Sequence, residues 1–286
     1  MKRIFILIYL LACKEEIKLK IEDLNKFYIH APDSEVYSFF ISSFDTFFYK
    51  FIKLEKLSNL NEINNIILIL KESDKNFLKF YKYINNDLGY REDINRSGDF
   101  MLGIFGENEK DLKFRIYMNK FFIDSILKIR IFESAYKRAI YFGIDSEKKK
   151  IIENKYGISI NVPVGWNFIN DTTKEILQMI KLNPRRTFLL FFSKDILNLD
   201  FNSILNLKEK FNKDDSLLEI RISDKNFNRI CISGKFKNSG SGFFKSCSGK
   251  YKNKFYFYDI KVFDTINGFE YILEIDCFLS RSLLNY

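Results

Sequence analysis

The chain has 286 residues, a formal net charge of +9 and a hydrophobic fraction of 47%. This apolar content excludes a disordered chain, because enough nonpolar surface is available to offset the entropy that folding removes. The length allows one large domain or two ordinary ones. The 46 lysines and arginines are dispersed along the sequence. Dispersed charge favours a solvated basic surface, weakly attractive to anionic lipid, over a nucleic-acid interface. We therefore expect no nucleic-acid partner.

Residues 1–12 have the features of an export signal. Lys2 and Arg3 precede an apolar run from Ile4 to Ala12. A helix of this length cannot cross about 30 Å of hydrocarbon, whereas a basic head before a short apolar segment is typical of a secretory signal peptide. The alternative interpretation is a buried first strand.

The end of this segment, Leu10-Leu11-Ala12-Cys13, resembles the lipobox of bacterial lipoproteins. In that motif cleavage precedes the cysteine, and a diacylglycerol is attached to the cysteine sulfur. The resemblance implies removal of residues 1–12 and lipid attachment at Cys13, and several acyl chains hold a protein firmly on a bilayer. Residues 13–25 are then a tether, and the expected location is the bacterial cell envelope, facing the periplasm.

A helix-layered α/β domain is predicted for residues 26–145. Asp33 and Ser34 supply N-cap oxygens for its first helix, and Gly89 and Gly143 are expected to end the second and third. The helices are predicted because apolar residues recur at a spacing of three to four. The expected strands are 27–31, 66–70 and 100–105, and the expected helices are 34–53, 76–88 and 107–142. Strands that alternate with helices indicate a sheet covered by helices.

A β-rich α/β domain is predicted for residues 155–286, with the boundary near 145–154. Thr172 to Glu175 has the spacing of a helix capping box, but the context favours a strand over the next segment. One helix is expected at 204–211. The expected strands are 158–162, one that Trp166 opens, 176–182, 188–192, 229–235, 243–248, 255–263 and 269–278. The fold class predicted for the chain is therefore α+β or α/β.

The segment from Lys155 to Trp166 reads KYGISINVPVGW. A strand that ends in Pro-x-Gly-aromatic looks like the start of small α/β domains of the Mog1/PsbP type. The order of elements also resembles a family of lipoproteins of unknown function from Bacteroidetes. Residues 232–236 are a weak counterpart of that family's Gly-Leu-Trp segment, whose tryptophan is absent here. The resemblance implies an envelope lipoprotein and supplies no catalytic residues.

Three cysteines follow Cys13, so at most one intramolecular disulfide can form among Cys231, Cys247 and Cys277. Their spacing matches no zinc-binding pattern. Cys231 and Cys247 either face each other across a hairpin or are buried free thiols. His30 is the single histidine, which excludes a histidine-rich metal site. We expect no metal and no cofactor.

Three side chains are candidates for ligand or partner contact. Trp166 is either a ligand platform or a core residue, and Arg185 and Arg186 lie in a predicted hairpin loop. No catalytic motif accompanies them, because the Gly-x-Ser-x-Gly elbow of serine hydrolases is absent. The sequence favours an envelope lipoprotein with a binding or structural role, with a second envelope protein as a candidate partner. The alternative is an envelope hydrolase whose carboxylates become neighbours only in the fold.

Overall fold

The structure is a computed structural model that describes residues 24–46, 48–57, 63–93, 99–169, 176–193, 199–226, 228–252 and 254–284. The chain divides into two compact units, Met1–Ile131 and Phe132–Tyr286. The first unit contains a mixed sheet and the second an antiparallel sheet. The α+β class is therefore confirmed. The predicted signal peptide, lipobox and most of the tether lie outside the described residues.

The first unit is built on a five-stranded sheet in the order β2-β1-β3-β5-β4. All neighbouring pairs are parallel except β4 and β5. The strands are β1 (Lys26–His30), β2 (Lys50–Lys53), β3 (Asn65–Lys71), β4 (Leu88–Glu92) and β5 (Phe100–Gly106). The helices are α1 (Ser34–Ser43), α2 (Phe77–Ile84), α3 (Glu109–Met118) and α4 (Lys120–Ala139), which ends in the second unit.

The centre of this sheet is almost wholly apolar. β3 and β5 are buried along nearly their whole length, as expected for parallel strands covered on both faces. Phe80 of α2 packs in one cluster with Leu68 and Phe105. On α1, the Asp33 carboxylate accepts a hydrogen bond from the backbone N–H of Val36 at 2.8 Å. The predicted N-cap of this helix is therefore confirmed.

Three predicted helices of this unit are shorter in the structure. The first ends at Ser43, and the residues that follow form a turn and β2. The second ends at Ile84, because Asn85 takes the left-handed conformation at φ 57°. The expected cap, Gly89, lies instead in β4. The third is interrupted at Asn119, which separates α3 from α4.

The second unit is built on a seven-stranded antiparallel sheet in the order β6-β7-β8-β12-β11-β10-β9. Its strands are β6 (Asn167–Phe168), β7 (Ile176–Lys181), β8 (Arg186–Ser193), β9 (Ser216–Asn226), β10 (Arg229–Lys237), β11 (Ser241–Tyr251) and β12 (Lys254–Val262). Its helices are α5 (Ser146–Tyr156), α6 (Phe201–Phe211) and α7 (Gly268–Leu284). Four predicted strands, those on β7, β8, β10 and β12, match the structure closely.

Helices cover both faces of this sheet. Tyr258 of β12 packs in one core cluster with Ile275 of α7. Phe257, its neighbour in the strand, belongs to a separate cluster that includes Ile204 of α6. Successive side chains of a strand point to opposite faces, so α6 and α7 sandwich the sheet. The two helices therefore close two distinct apolar layers.

Several predictions for this unit are wrong. Residues 269–278 are helical, because they belong to α7. Residues 158–162 join no sheet, although their alternation of buried and exposed side chains is as expected. β9 was not predicted at all. The segment 145–154, where we placed the boundary between the halves, contains most of α5. The predicted capping box at Thr172 to Glu175 lies outside the described residues.

Candidate functional site

The structure buries two of the three predicted contact residues: Trp166 belongs to the core of the second unit, and Arg186 is the first residue of β8 and not a loop residue. Trp166 is 2% exposed and packs against the rings of Phe188 and Phe278. Arg186 is 6% exposed and donates a hydrogen bond of 2.7 Å to a carboxylate oxygen of Glu274. Trp166 and Arg186 thus face the protein interior. The guanidinium of Arg185 lies over the ring of Phe263 at 4.6 Å.

Cys231 and Cys247 form a disulfide between β10 and β11. The two residues are direct partners in the antiparallel register, and both are fully buried. Of the two alternatives that the sequence left open, the structure has the cross-strand pairing. Cys277 is a free and buried thiol on α7, and burial raises its pKa well above the usual range.

A cluster of buried charges lies beside this disulfide. Asp276 of α7 accepts hydrogen bonds from Arg229 at 3.1 Å and from Lys245 at 2.8 Å. The hydroxyl of Tyr258 also donates to this carboxylate, and Arg229 donates a further bond of 3.1 Å to Ser280. Two cations therefore surround one carboxylate in the core.

The cluster holds its carboxylate ionised. Burial alone would raise the pKa of Asp276, but the charges of Lys245 and Arg229 lower that pKa to about 2. Burial raises the pKa of Tyr258 well above its usual value, so the phenol stays protonated and donates. A carboxylate fixed in this way serves as a structural counter-ion, because an acid or base catalyst needs a pKa near the working pH.

The fold does bring two carboxylates together elsewhere, as the hydrolase alternative requires. Asp259 and Asp215 both lie near the fully buried Lys208, at 2.9 and 3.8 Å from its ammonium nitrogen. Each carboxylate is only 2% exposed. The ammonium group between them and the lack of solvent access describe an ion-pair network of the core. This pair therefore gives the hydrolase alternative no support.

A polar groove is present on the surface of the second unit, with a volume of about 380 Å³. Its lining residues come from α4, α5, the segment after α5, the end of β11, and α7. They are Tyr136, Lys149, Ser159, Asn161, Tyr251, Arg281 and Ser282. The lining carries two cations, two phenols, an amide and two hydroxyls, and no carboxylate. We call this feature the polar groove.

The polar groups of the groove are connected. The ammonium group of Lys149 donates to the side-chain oxygen of Asn161 at 2.8 Å, and the amide of Asn161 donates to the hydroxyl of Tyr136 at 3.1 Å. The guanidinium of Arg281 lies 4.0 Å from the centre of the Tyr136 ring and also bonds Glu133. This chain of contacts connects both cations to the side chain of Tyr136.

Our sequence predictions missed every residue of the groove. One signal was present: Ile158, Ile160 and Val162 are buried, so the polar residues between them, Ser159 and Asn161, face outward. The other lining residues come from elements distant in sequence. No local pattern connects them, and only the fold brings them together.

No group of three or more His, Cys, Asp or Glu side chains in the described part of the chain is placed to hold a metal ion. None of the helices described is both long and apolar enough to cross a bilayer.

Fold and groove together define a two-unit α+β protein with a polar, cationic surface groove. No protein-family model matches the chain, and no curated protein matches it. A crystal structure of a protein from Bacteroides thetaiotaomicron is similar to part of it, with 12% sequence identity and a TM-score of 0.21. The similarity covers 42% of this chain and 44% of that protein. The chain thus matches less than half the length of that structure.

Proposed function

We propose that this chain is an exported protein, anchored to an envelope membrane through an acylated Cys13, that binds a small polar anion in the polar groove. One observation carries the binding role: Lys149 and Arg281 line the groove together with neutral donors, and no lining residue is acidic. Ion-assisted hydrogen bonds to carboxylate or phosphate are about twice as strong as neutral ones. The expected ligands are therefore small hydroxylated molecules that carry a carboxylate or a phosphate.

The groove is suited to binding more than to catalysis. Arg281 uses one nitrogen for Glu133, and a guanidinium has five N–H donors in all. Lys149 is held by the neutral Asn161, so an incoming anion competes with no carboxylate at that position. Tyr136 and Tyr251 add two phenol side chains to the lining.

The disulfide supports the proposed location. Disulfides persist in oxidising compartments such as the periplasm and are rare in the reducing cytosol. Cys231 and Cys247 are buried in the core of the second unit. A structural disulfide there agrees with the export signal proposed for residues 1–12 and with lipid attachment at Cys13.

Calorimetric titration tests the binding role. The probes are galacturonate, glucose 6-phosphate and uncharged glucose. We expect the two anionic sugars to bind and glucose to bind at least tenfold more weakly. Lys149→Gln and Arg281→Gln should each weaken anion binding about tenfold, which corresponds to about 1.4 kcal/mol. Lys150→Gln is the matched control, because Lys150 is an exposed neighbour outside the groove. Equal binding of all three sugars, or an equal loss in the control variant, would contradict the proposal.

Metabolic labelling with radioactive palmitate tests the anchor. The wild-type chain should incorporate label, and Cys13→Ser should incorporate none. Cys277→Ser serves as the control, because this thiol is buried and is not a lipidation site in our proposal. An unlabelled wild-type chain, or label that survives in Cys13→Ser, refutes acylation at Cys13.

A further inference from the structure

The first unit carries an exposed apolar face on two consecutive helices. Six large apolar side chains of α3 and α4 face solvent, and they recur at spacings of three to four residues along much of this region. They are Phe114, Tyr117, Met118, Phe121, Phe122 and Ile129, between 48% and 85% exposed. Contiguous apolar surface of this kind marks an interaction site in soluble proteins. We call it the α3–α4 face.

The face is distinct from the core side of the same helices. Leu112, Ile116 and Ile123 are fully buried and pack toward the interior of the unit. Phe121, by contrast, is 85% exposed. The two helices are therefore apolar on two sides, and the stability of the unit requires only the buried one.

Charge along these helices favours an anionic partner. Lys110 and Lys120 are exposed and interleave with the apolar residues. Two nearby carboxylates already have cationic partners: Asp111 pairs with Arg115 at 3.0 Å, and Asp124 pairs with Lys128 at 2.7 Å. Helices with aromatic and aliphatic residues beside lysines are typical of segments that lie in the interface of an anionic bilayer.

The length of the tether makes a bilayer the nearest available surface. Eleven residue steps separate Cys13 from Leu24, and a fully extended chain of that length spans at most about 40 Å. The tether leads into β1, which belongs to the same unit as the α3–α4 face. A second copy of the chain is a poorer occupant, because a twofold interface pairs this face with an identical face that carries the same exposed lysines and offers them no anionic lipid.

We propose that the α3–α4 face docks on the surface of an anionic phospholipid bilayer, so that the protein lies against the membrane to which Cys13 attaches it. This inference rests on the lipid anchor of the proposed function for its location, whereas the affinity of the face for lipid does not require the anchor. Insertion of Phe114 and Phe121 supplies apolar contact, and the lysines meet the phosphate groups of the lipid.

Vesicle co-sedimentation of residues 13–286 with Cys13→Ser, the chain without its proposed signal peptide, tests the face separately from acylation. The vesicles contain phosphatidylglycerol and phosphatidylethanolamine, or phosphatidylcholine alone. We expect binding to the anionic vesicles that weakens with added salt. Adding Phe114→Ser with Phe121→Ser should reduce the apparent affinity at least tenfold. Leu78→Ser is the matched control, because Leu78 is 77% exposed in the same unit but lies on α2.

A second measurement locates the contact. Phe121→Trp should be quenched by brominated phosphatidylglycerol, and Leu78→Trp should not. Unchanged binding of the Phe114→Ser, Phe121→Ser variant, or equal quenching at both positions, overturns the inference. A concentration-dependent dimer that this variant abolishes would also overturn it, in favour of self-association. Palmitate labelling is independent of these readouts, so failure of the anchor and failure of docking are distinguishable.

Discussion

The buried carboxylate of Asp276 offers the sharpest test of the energetics of the second unit. The change is Asp276→Asn, which preserves shape and removes the negative charge between Arg229 and Lys245. Removing one partner of a buried ion pair costs about 3–5 kcal/mol, because the remaining charge stays buried without compensation. Two cations lose their shared partner here. We therefore expect the free energy of unfolding to fall by at least about 3 kcal/mol.

The pH dependence of the free energy of unfolding gives an independent magnitude for the contribution of Asp276. The folded pKa of Asp276 is about 2, below the ordinary aspartate value of about 3.9. The difference corresponds to roughly 2–3 kcal/mol of stability from this ionisation. Because the folded pKa is the lower one, the contribution is complete above about pH 4 and is lost as the pH falls towards 2. The difference in the free energy of unfolding between wild type and Asp276→Asn should therefore become smaller as the pH falls from about 4 to about 2.

Urea unfolding measured by the fluorescence of Trp166 is a suitable assay. Trp166 is the single tryptophan of the chain and lies in the same core cluster as Tyr258. The control is Asp214→Asn, because Asp214 is exposed and belongs to the same unit. Exposed substitutions of this kind change stability by no more than about 0.5 kcal/mol. A loss below about 1 kcal/mol in Asp276→Asn, or a gap that does not narrow in acid, would refute the assignment of Asp276 as an ionised counter-ion.

Three further predictions concern the same unit. Replacing Cys231 and Cys247 by alanine should lower the free energy of unfolding by about 3 kcal/mol, because the disulfide closes a loop with a sequence separation of 16. A reducing agent should lower the melting temperature of the wild type and leave that of the variant unchanged. Trp166→Ala should cost about 3–5 kcal/mol, measured by circular dichroism, and Trp166→Phe should cost clearly less. Gly157→Ala should cost about 1 kcal/mol in urea unfolding, since Gly157 caps α5 at φ 68°; no loss there would contradict a left-handed cap.

Sequence patterns predicted the parallel core of the first unit well. β3 and β5 are continuous apolar runs, and such runs are typical of strands buried on both faces. Helix ends were harder to predict, because several residue types can adopt the left-handed cap. Asn85 ends α2 four residues before the glycine that the sequence offers. The local sequence pattern alone does not show which of these two residues ends the helix.

The α7 segment shows why a prediction from hydrophobic pattern alone is wrong where charged residues are buried. Glu270, Glu274 and Asp276 alternate with apolar residues, which indicates a strand with one face in water. All three acids are buried in the structure. Because Asp276 and Glu274 have cationic partners supplied by distant strands, their burial is a tertiary effect. It could not be inferred from the segment itself.

The same helix connects the core to the polar groove. Asp276 and Ser280 point inward and bind Arg229, whereas Arg281 points to the groove and lies against Tyr136. A helix held by several buried ion-assisted hydrogen bonds has little freedom to rotate or slide, since either movement would leave charges unpaired in the core. The backbone of Arg281 is thereby fixed, while Glu133 and the Tyr136 ring hold its guanidinium. In the binding role that we propose, a cation ordered in this way loses little side-chain entropy. The buried network thus acts on the groove as a positioning device, although none of its members lines the groove.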